Sequence, residues 1–228
     1  IENIIQFCKE NELKLIEDSA QALGSFYPSG NHMGTIGDIG SFSFSAPKII
    51  STGQGGAIVT NDEKLFKKSY EIHDHGRDLN GEVQSWGRNS RLDNLQAAIL
   101  LYKLKTYDDV VKRRRHVAEI YQNELTKIEQ LTLPPGPHDS EDHFDVYQNY
   151  ELQAENRDEL VEYLSKNQIG TLIQWGGKAV HQWRNLGFKE SLPKTEKFFD
   201  KCLMIPMNVF ISDDDVYYVC ETIKRFYE

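Results

Sequence analysis

A lysine lies between two apolar segments, directly before a loop rich in glycine. Lys48 follows a proline, and the loop 51–56 after it contains Gly53, Gly55 and Gly56. The bare backbone amides of such a loop can bind an anion. A lysine held beside them can lose its proton and form an imine with an aldehyde. A single lysine is most often a solvated surface residue, but this neighbourhood favours imine chemistry at Lys48.

An acidic residue ends a short apolar segment upstream. Leu13–Asp18 is predicted as a strand, and the C-terminal ends of strands in open α/β sheets face ligands. As a single residue, Asp18 is also typical of an acid that caps a helix. Asp18 and Lys48 are the two residue types that pyridoxal phosphate needs. The lysine forms the imine, and the acid keeps the ring nitrogen protonated.

Helices and strands alternate around these residues. The predicted elements of the first half are a helix, three strands and a second helix, at 1–10, 13–18, 41–44, 57–60 and from residue 63. A helical pattern then runs from Ser90 to Leu125 and is long enough to bridge two domains.

The clearest break in the chain comes after this helical region. Pro134–Pro137 is followed by polar residues up to Asp142. Beyond it we predict a strand, a helix, a second strand and a terminal helix, at 144–153, 157–166, 171–175 and from residue 213. Ser212 caps the last helix. The alternation indicates an α/β protein with a second, smaller sheet after the break.

The composition is that of a soluble globular protein. The chain has 228 residues, of which 39% are hydrophobic, 27% charged and 11% aromatic, which excludes general disorder. The length predicts one large domain, or a large and a small one. The formal charge of -9 disfavours a nucleic-acid partner. The one basic run, Lys112–His116, is flanked by acids and is predicted as a solvated helix surface.

Other residues argue against further classes of site. Cys8, Cys202 and Cys220 are far apart in apolar patterns, which indicates neither a disulfide framework nor a zinc site and fits a reducing cytoplasm. No metal site is predicted, because His73 and His75 cannot share a helix face. No apolar run is long enough for a membrane span, and we do not expect the first residues to form a signal peptide, because no cationic segment leads into an apolar one. We expect a cytoplasmic protein without membrane contact, and, since it opens without methionine, a fragment.

Several motifs together resemble the DegT/StrS family of sugar aminotransferases. They are Ile16–Gly24, Gly37–Asp38, Phe42–Phe44, Pro47–Lys48, Thr52–Asp62, His75–Gly76, Gly87–Arg91 and Leu95–Ala98. The resemblance covers nearly the whole chain. It implies an α/β, aspartate-aminotransferase-like fold for pyridoxal phosphate. Residues 1–105 would be the C-terminal part of the large cofactor domain, and 106–228 a linking helix and a small α+β C-terminal domain.

The resemblance also implies a role for each matching residue. Lys48 would form the imine with pyridoxal 5'-phosphate and move the proton between cofactor and substrate. Asp18 would pair with the pyridinium nitrogen, and Gln21 would lie beside the ring. Ser43 would donate its hydroxyl to the cofactor phosphate. Asn89 would reach the phosphate of the neighbouring subunit's cofactor.

The family's activity implies amino transfer from an amino acid, usually glutamate, to a nucleotide-linked keto sugar. It also implies a homodimer with shared active sites. His181 keeps the family's histidine, whereas Gln174–Val180 departs from the family's pattern. His181 and Trp175 are candidate substrate contacts, although single residues of these types are more often structural.

Three other functions stay open. The first is a noncatalytic, truncated family member that acts as a binding or dimerisation module, because family chains have a long part ahead of position 1. The second is a pyridoxal-phosphate-dependent sugar dehydratase. Such members carry histidine in place of Lys48, so the lysine favours amino transfer. The third, a dinucleotide-binding oxidoreductase, is disfavoured because no G-x-G-x-x-G follows a strand.

Overall fold

The computed structural model describes residues 1–139 and 144–228. The chain divides into two compact units. The first is Ile1–Lys112 with Glu141–Gln148, and the second is Arg113–Ser140 with Asn149–Glu228. The assignment of 1–105 to a cofactor domain and 106–228 to a small domain stays a prediction.

The first unit contains a three-stranded sheet. In chain order its elements are α1 (Glu2–Glu10), β1 (Ile16–Asp18), β2 (Ile39–Ser43), β3 (Gly56–Val59), α2 (Glu63–His73), α3 (Asn94–Leu104) and the start of α4 (Tyr107–Leu125). The strand order is β1-β2-β3. β1 runs parallel to β2, and β2 runs antiparallel to β3. The C-terminal ends of β1 and β2 therefore lie at the same edge of the sheet.

Sequence predictions for the first unit are confirmed in element type, and their bounds differ by at most two residues except at β1 and in the long helical region. β1 begins at Ile16, three residues later than predicted. The continuous helix predicted up to Leu125 is wrong, because the chain leaves the helix between α3 and α4. The amide of Thr106 donates to the carbonyl of Lys103, a tight turn bond that ends α3. The carbonyl of Thr106 accepts from Val110, and α4 starts there.

An apolar cluster supports the C-terminal part of β2. It consists of Phe42, Phe44, Ile50, Tyr107, Val111 and Val146. The hydroxyl of Tyr107 donates to the carbonyl of Leu23 at 2.7 Å, which fixes the chain just after β1. This cluster therefore packs beneath the segments that carry the candidate site residues.

The second unit is built on an antiparallel sheet. Its elements are the rest of α4, β4 (Leu131–Thr132), β5 (Tyr150–Ala154), α5 (Arg157–Lys166), three 3-10 turns between Gln174 and Leu186, α6 (Pro193–Lys201), β6 (Cys202–Ile205) and α7 (Asp213–Tyr227). The strand order is β4-β5-β6. The core includes Val117, Tyr121, Leu152, Leu164, Leu203 and Ile223. The hydroxyl of Ser212 accepts from the amide of Asp215, so the predicted cap of α7 is confirmed.

Both strands predicted after the break differ from the structure. The strand predicted for 144–153 starts only at Tyr150, because Tyr147 has a φ of +52° that an extended strand does not allow. The strand predicted for 171–175 is a single bridge at Leu172. Trp175 then turns the chain with a φ of +50°. The break predicted up to Asp142 extends outside the described residues.

The basic run of α4 is largely held within the second unit. Arg114 is only 7% exposed. The guanidinium of Arg113 binds the carboxylate of Asp213 at 2.5 Å, and Arg115 donates to the carbonyl of Pro137 at 2.8 Å. The prediction of a solvated helix surface is therefore wrong for these three arginines. Arg113 connects α4 to the start of α7, and Arg115 connects it to the loop after β4.

The described part of the chain lacks the features of two other protein classes. None of the helices there combines the length and apolar character needed to cross a membrane. The same residues contain no group of three or more histidine, cysteine, aspartate or glutamate side chains that could hold a metal ion. Cys8, Cys202 and Cys220 are free thiols, and the last two are buried.

Candidate active site

One edge of the first unit's sheet carries three of the predicted site residues. Asp18 is the last residue of β1 and lies opposite Ser41 of β2. Ser43 is the last residue of β2. Lys48 follows in a turn that is closed by its own amide, which donates to the carbonyl of Ser45 at 3.0 Å. The parallel pairing of β1 and β2 thus brings an acid and a hydroxyl to the same edge, and the turn with Lys48 follows directly after β2.

Asp18 keeps part of its carboxylate available. Its side chain is exposed, and Oδ1 accepts from the amide of Ala20 at 3.1 Å. Within 1–139 and 144–228, no hydrogen bond to Oδ2 is formed. The bond from Ala20 fixes the orientation of the carboxylate, and Oδ2 remains able to accept a proton donor.

Glu17, the residue before Asp18, was not predicted from the sequence as part of the site. Its carboxylate is 6% exposed and accepts from the amides of Gly34, Ile36 and Gly37 and from the hydroxyl of Tyr27, at 2.5–2.9 Å. Burial alone raises the pKa of Glu17, but the four donors outweigh it, so this pKa lies below its ordinary value. Burial of the Tyr27 hydroxyl, together with its hydrogen bond to Glu17, raises the pKa of Tyr27 to about 12.

Glycines let the loop 34–37, whose amides bind Glu17, lie directly on the sheet. Gly34 has a φ of +88°, and a Cβ on Gly40 would come within 1.8 Å of the carbonyl oxygen of Gly34. Backbone amides packed this closely need an acceptor, which Glu17 provides. The sequence did contain a signal for this role of Glu17. It is an acid next to Asp18 in a predicted strand, so its side chain points to the opposite face, and a glycine-dense loop follows the strand.

The glycine loop after Lys48 is fixed at several points. The amide of Phe44 donates to the carbonyl of Gly55 at 2.8 Å, and the carbonyl of Phe44 accepts from Thr52 at 3.0 Å. From α3, the ammonium of Lys103 donates to the carbonyl of Ser51 at 2.6 Å. The turn that carries Lys48 is therefore bounded by an ordered loop.

The other candidates of the first unit lie near this edge or apart from it. Ser43 Oγ lies 3.1 Å from Ser45 Oγ and accepts from the Ser45 amide at 3.3 Å. Gln21 is exposed in the turn after β1. Asn89 is exposed and pairs through its backbone with Asp74, just after α2. Across the described residues, no hydrogen bond joins Asn89 to Asp18 or Lys48.

The two candidate substrate contacts belong to the second unit and differ in exposure. Trp175 is 76% exposed in a left-handed turn with Gly176 and Gly177. His181 is 3% exposed, and its Nε2 lies 3.0 Å from Oε1 of Glu196 in α6. The amide of Leu192 and the bond to His181 hold the pKa of Glu196 below its ordinary value. His181 thus links the turn region to α6, and its role as a substrate contact stays a prediction.

Two curated proteins similar to this chain are named as a GDP-perosamine synthase and an amino-sugar transaminase. GDP-perosamine synthase of Escherichia coli O157:H7 is 34% identical over 235 residues, which cover 100% of this chain and 62% of the relative. The dTDP-3-amino-3,6-dideoxy-alpha-D-galactopyranose transaminase of Aneurinibacillus thermoaerophilus is 34% identical over 232 residues, covering 99% and 61%. The chain thus spans about three fifths of the length of these relatives.

A solved structure shows the same fold. The DegT DnrJ EryC1 StrS aminotransferase from Brucella abortus superposes with a TM-score of 0.90 at 28% identity, over 99% of this chain and 60% of that one. The mixed α/β architecture is therefore that of the pyridoxal-phosphate aminotransferases, as the sequence predicted. The model of the DegT/DnrJ/EryC1/StrS aminotransferase family matches residues 1–224, and the chain belongs to this family.

Proposed function

We propose that this chain is part of a pyridoxal-phosphate-dependent aminotransferase that moves an amino group from an amino acid, glutamate, to a nucleotide-linked keto sugar. The observation that carries the proposal is the shared sheet edge of Asp18 and Ser43, with Lys48 in the turn that follows β2. The names of the relatives support a sugar as the acceptor. A cytoplasmic location, expected from the free thiols, is part of the proposal.

The donor set at this edge fits pyridoxal phosphate. Lys48 is half-buried and its amine suits an aldehyde, and the free Oδ2 of Asp18 suits a protonated ring nitrogen. The hydroxyls of Ser43 and Ser45 lie 3.1 Å apart and suit a phosphate. When bound, the cofactor would supply an aldehyde carbon for amine exchange and a ring that withdraws electrons.

Each residue then has a task of its own. Lys48 Nζ would hold the aldehyde carbon and, once the substrate's amino group has displaced it, would hold and move the proton at the substrate carbon. The carboxylate of Asp18 holds the proton on the ring nitrogen, because a nearby negative charge raises that nitrogen's pKa. Ser43 anchors the phosphate, and Gln21 orients the ring from the turn after β1. Trp175 contacts the sugar nucleotide.

A homodimer with shared active sites completes the proposal. α3 is apolar but has no buried residue, and Leu95, Leu101 and Tyr102 are 74%, 65% and 74% exposed. Exposed apolar patches of this kind are typical of interaction surfaces. We assign the partner as a second copy of this chain. The side-chain amide of Asn89 would then reach the cofactor phosphate in the active site of that second copy.

Reduction with borohydride tests the proposal. The full-length protein with pyridoxal phosphate should show an imine absorbance band, and reduction should place a pyridoxyl group on the peptide that contains Lys48. Lys48→Ala should lose the adduct, whereas Lys178→Ala should keep it. An adduct confined to Lys178 would refute the assignment, and the absence of any adduct would favour a noncatalytic binding module. Analysis of the product distinguishes the two reactions. An amino sugar indicates amino transfer, and a deoxygenated sugar indicates dehydration.

A further inference from the structure

The side chain of Gln148 holds the backbone on both sides of Lys48. Its Oε1 accepts from the amide of Ile49 at 2.9 Å, and its Nε2 donates to the carbonyl of Pro47 at 2.7 Å. The amide of Ile49 can only donate and the carbonyl of Pro47 can only accept, so the orientation of the glutamine amide is determined. Two peptide groups next to the candidate reactive lysine are thus fixed by a residue about 100 positions away.

Gln148 is presented by an ordered segment. Val146 is fully buried in the apolar cluster under β2, and its amide donates to the hydroxyl of Ser25 at 3.3 Å. Tyr147, 3% exposed, has a φ of +52°. A bulky residue rarely adopts this conformation, and such residues persist only where the surroundings enforce them. This turn directs the chain immediately before Gln148.

We propose that Gln148 is a positioning residue for Lys48, which keeps the lysine backbone in the conformation from which Nζ reaches the aldehyde. This inference rests on the proposed function. A lysine side chain has four rotatable bonds, so the reach of its amine depends on where its Cα is held. Small displacements of a reacting group are costly, because a misplacement of about 1 Å can slow a reaction about 100-fold.

The chemistry of the contact requires a glutamine-like amide. A methionine has a similar size but provides neither the donor nor a strong acceptor. A glutamate keeps the acceptor for Ile49, but its carboxylate would face the carbonyl oxygen of Pro47. Gln148→Met and Gln148→Glu therefore remove different parts of one contact. If Gln148→Met does not fold, Gln148→Glu still tests the positioning role. Gln84→Met is the control, since the amide of Gln84 binds Asp78 in the same unit.

Two measurements on the full-length protein test the inference. Without cofactor, hydrogen exchange of the peptide 45–52 should be faster in both Gln148 variants, and less so in Gln148→Glu, which keeps the acceptor for Ile49, while the β2 peptide is unchanged. With pyridoxal phosphate, imine formation at Lys48 should be slowed about tenfold or more. The kcat should fall with little change in KM for the sugar, because Gln148 is not assigned to substrate.

The outcomes separate this inference from the proposed function. If the wild-type protein forms the imine at Lys48 and both Gln148 variants form it as fast as Gln84→Met, the positioning role is wrong and the proposed function stands. If the wild-type protein forms no imine at Lys48, the proposed function fails and the inference fails with it. Slower imine formation in both folded variants, with faster exchange of 45–52, supports it.

Discussion

Glu17 and Asp18 are consecutive residues of β1, yet the carboxylate of Glu17 is buried and that of Asp18 is exposed. Successive side chains of a strand point to opposite faces. One carboxylate therefore binds the loop that folds over the sheet, while the other faces outward with a free oxygen. A structural acid and the acid that we propose for the chemistry occupy adjacent positions, so a disturbance of the first reaches the second through one peptide bond.

Glu17→Gln should destabilise the protein mainly at pH values above about 4.5. The amide presents an NH₂ group to at least one backbone donor and removes the charge, so the free energy of unfolding should fall by about 2–4 kcal/mol. The pKa of Glu17 is lowered in the folded state. Its stabilisation is therefore present above the ordinary value of 4.5 and is lost as the pH falls through the lower, folded pKa.

Urea unfolding at several pH values measures this effect. The wild-type protein should lose stability as the pH falls below about 4.5, whereas Glu17→Gln should show a flatter acid limb. Glu12→Gln, at an exposed position of the same unit, is the control and should retain the wild-type profile. Parallel acid limbs in wild type and Glu17→Gln would assign the loss of stability to other carboxylates.

Short-range patterns predicted much of the fold. The cap of α7 by Ser212 and the position of Asp18 at a strand end depend on local residue types. The left-handed Tyr147 and Trp175 could not be predicted in this way, because bulky residues rarely adopt this conformation and only tertiary contacts impose it.

Contacts between residues that are distant in the sequence limited how much of the candidate site could be predicted. The chemistry of Lys48 and Asp18 was predicted from residue type and from the family resemblance. The contact of Gln148 with the backbone beside Lys48 joins segments about 100 residues apart, and no local pattern encodes it. His181 was considered as a substrate contact, but its burial against Glu196 depends on how α6 packs.

Asp18→Asn should lower turnover far more than cofactor affinity. An asparagine keeps the oxygen that accepts from Ala20, so the substitution isolates the charge. A neutral amide cannot hold the proton on the ring nitrogen, and kcat should fall by about 100-fold while the dissociation constant of pyridoxal phosphate changes much less. Single-turnover kinetics and a cofactor titration measure the two quantities. An unchanged kcat would remove Asp18 from the mechanism.

Trp175 and His181 should respond differently to substitution. Trp175 is exposed, so Trp175→Ala should raise KM for the nucleotide sugar about tenfold without changing the melting temperature. His181 is buried against Glu196, so His181→Ala should lower the melting temperature. Trp183→Ala, in the same turn region, is the control for Trp175. The opposite pattern, with KM changed only by His181→Ala, would make the histidine the substrate contact.

Two subunits should share their active sites. If Asn89 reaches the cofactor phosphate of a second copy, each site uses Lys48 from one subunit and Asn89 from the other, and a two-fold axis makes both sites equivalent. Lys48→Ala and Asn89→Asp homodimers should both be impaired, the second because its carboxylate repels the phosphate. A heterodimer of the two places both defects in one site and leaves the other intact.

Mixing the two full-length variants should therefore restore activity. In equal amounts, about half of the randomly exchanged dimers are heterodimers with one intact site each, so the mixture should reach about one quarter of the wild-type rate. Native mass spectrometry confirms subunit exchange, and a mixture of Lys48→Ala with Asp18→Asn is the control. Those two residues share one sheet edge, so that mixture should gain nothing. If the Lys48 and Asn89 variants exchange subunits and still show only the parental rates, Asn89 acts within its own subunit or outside the site.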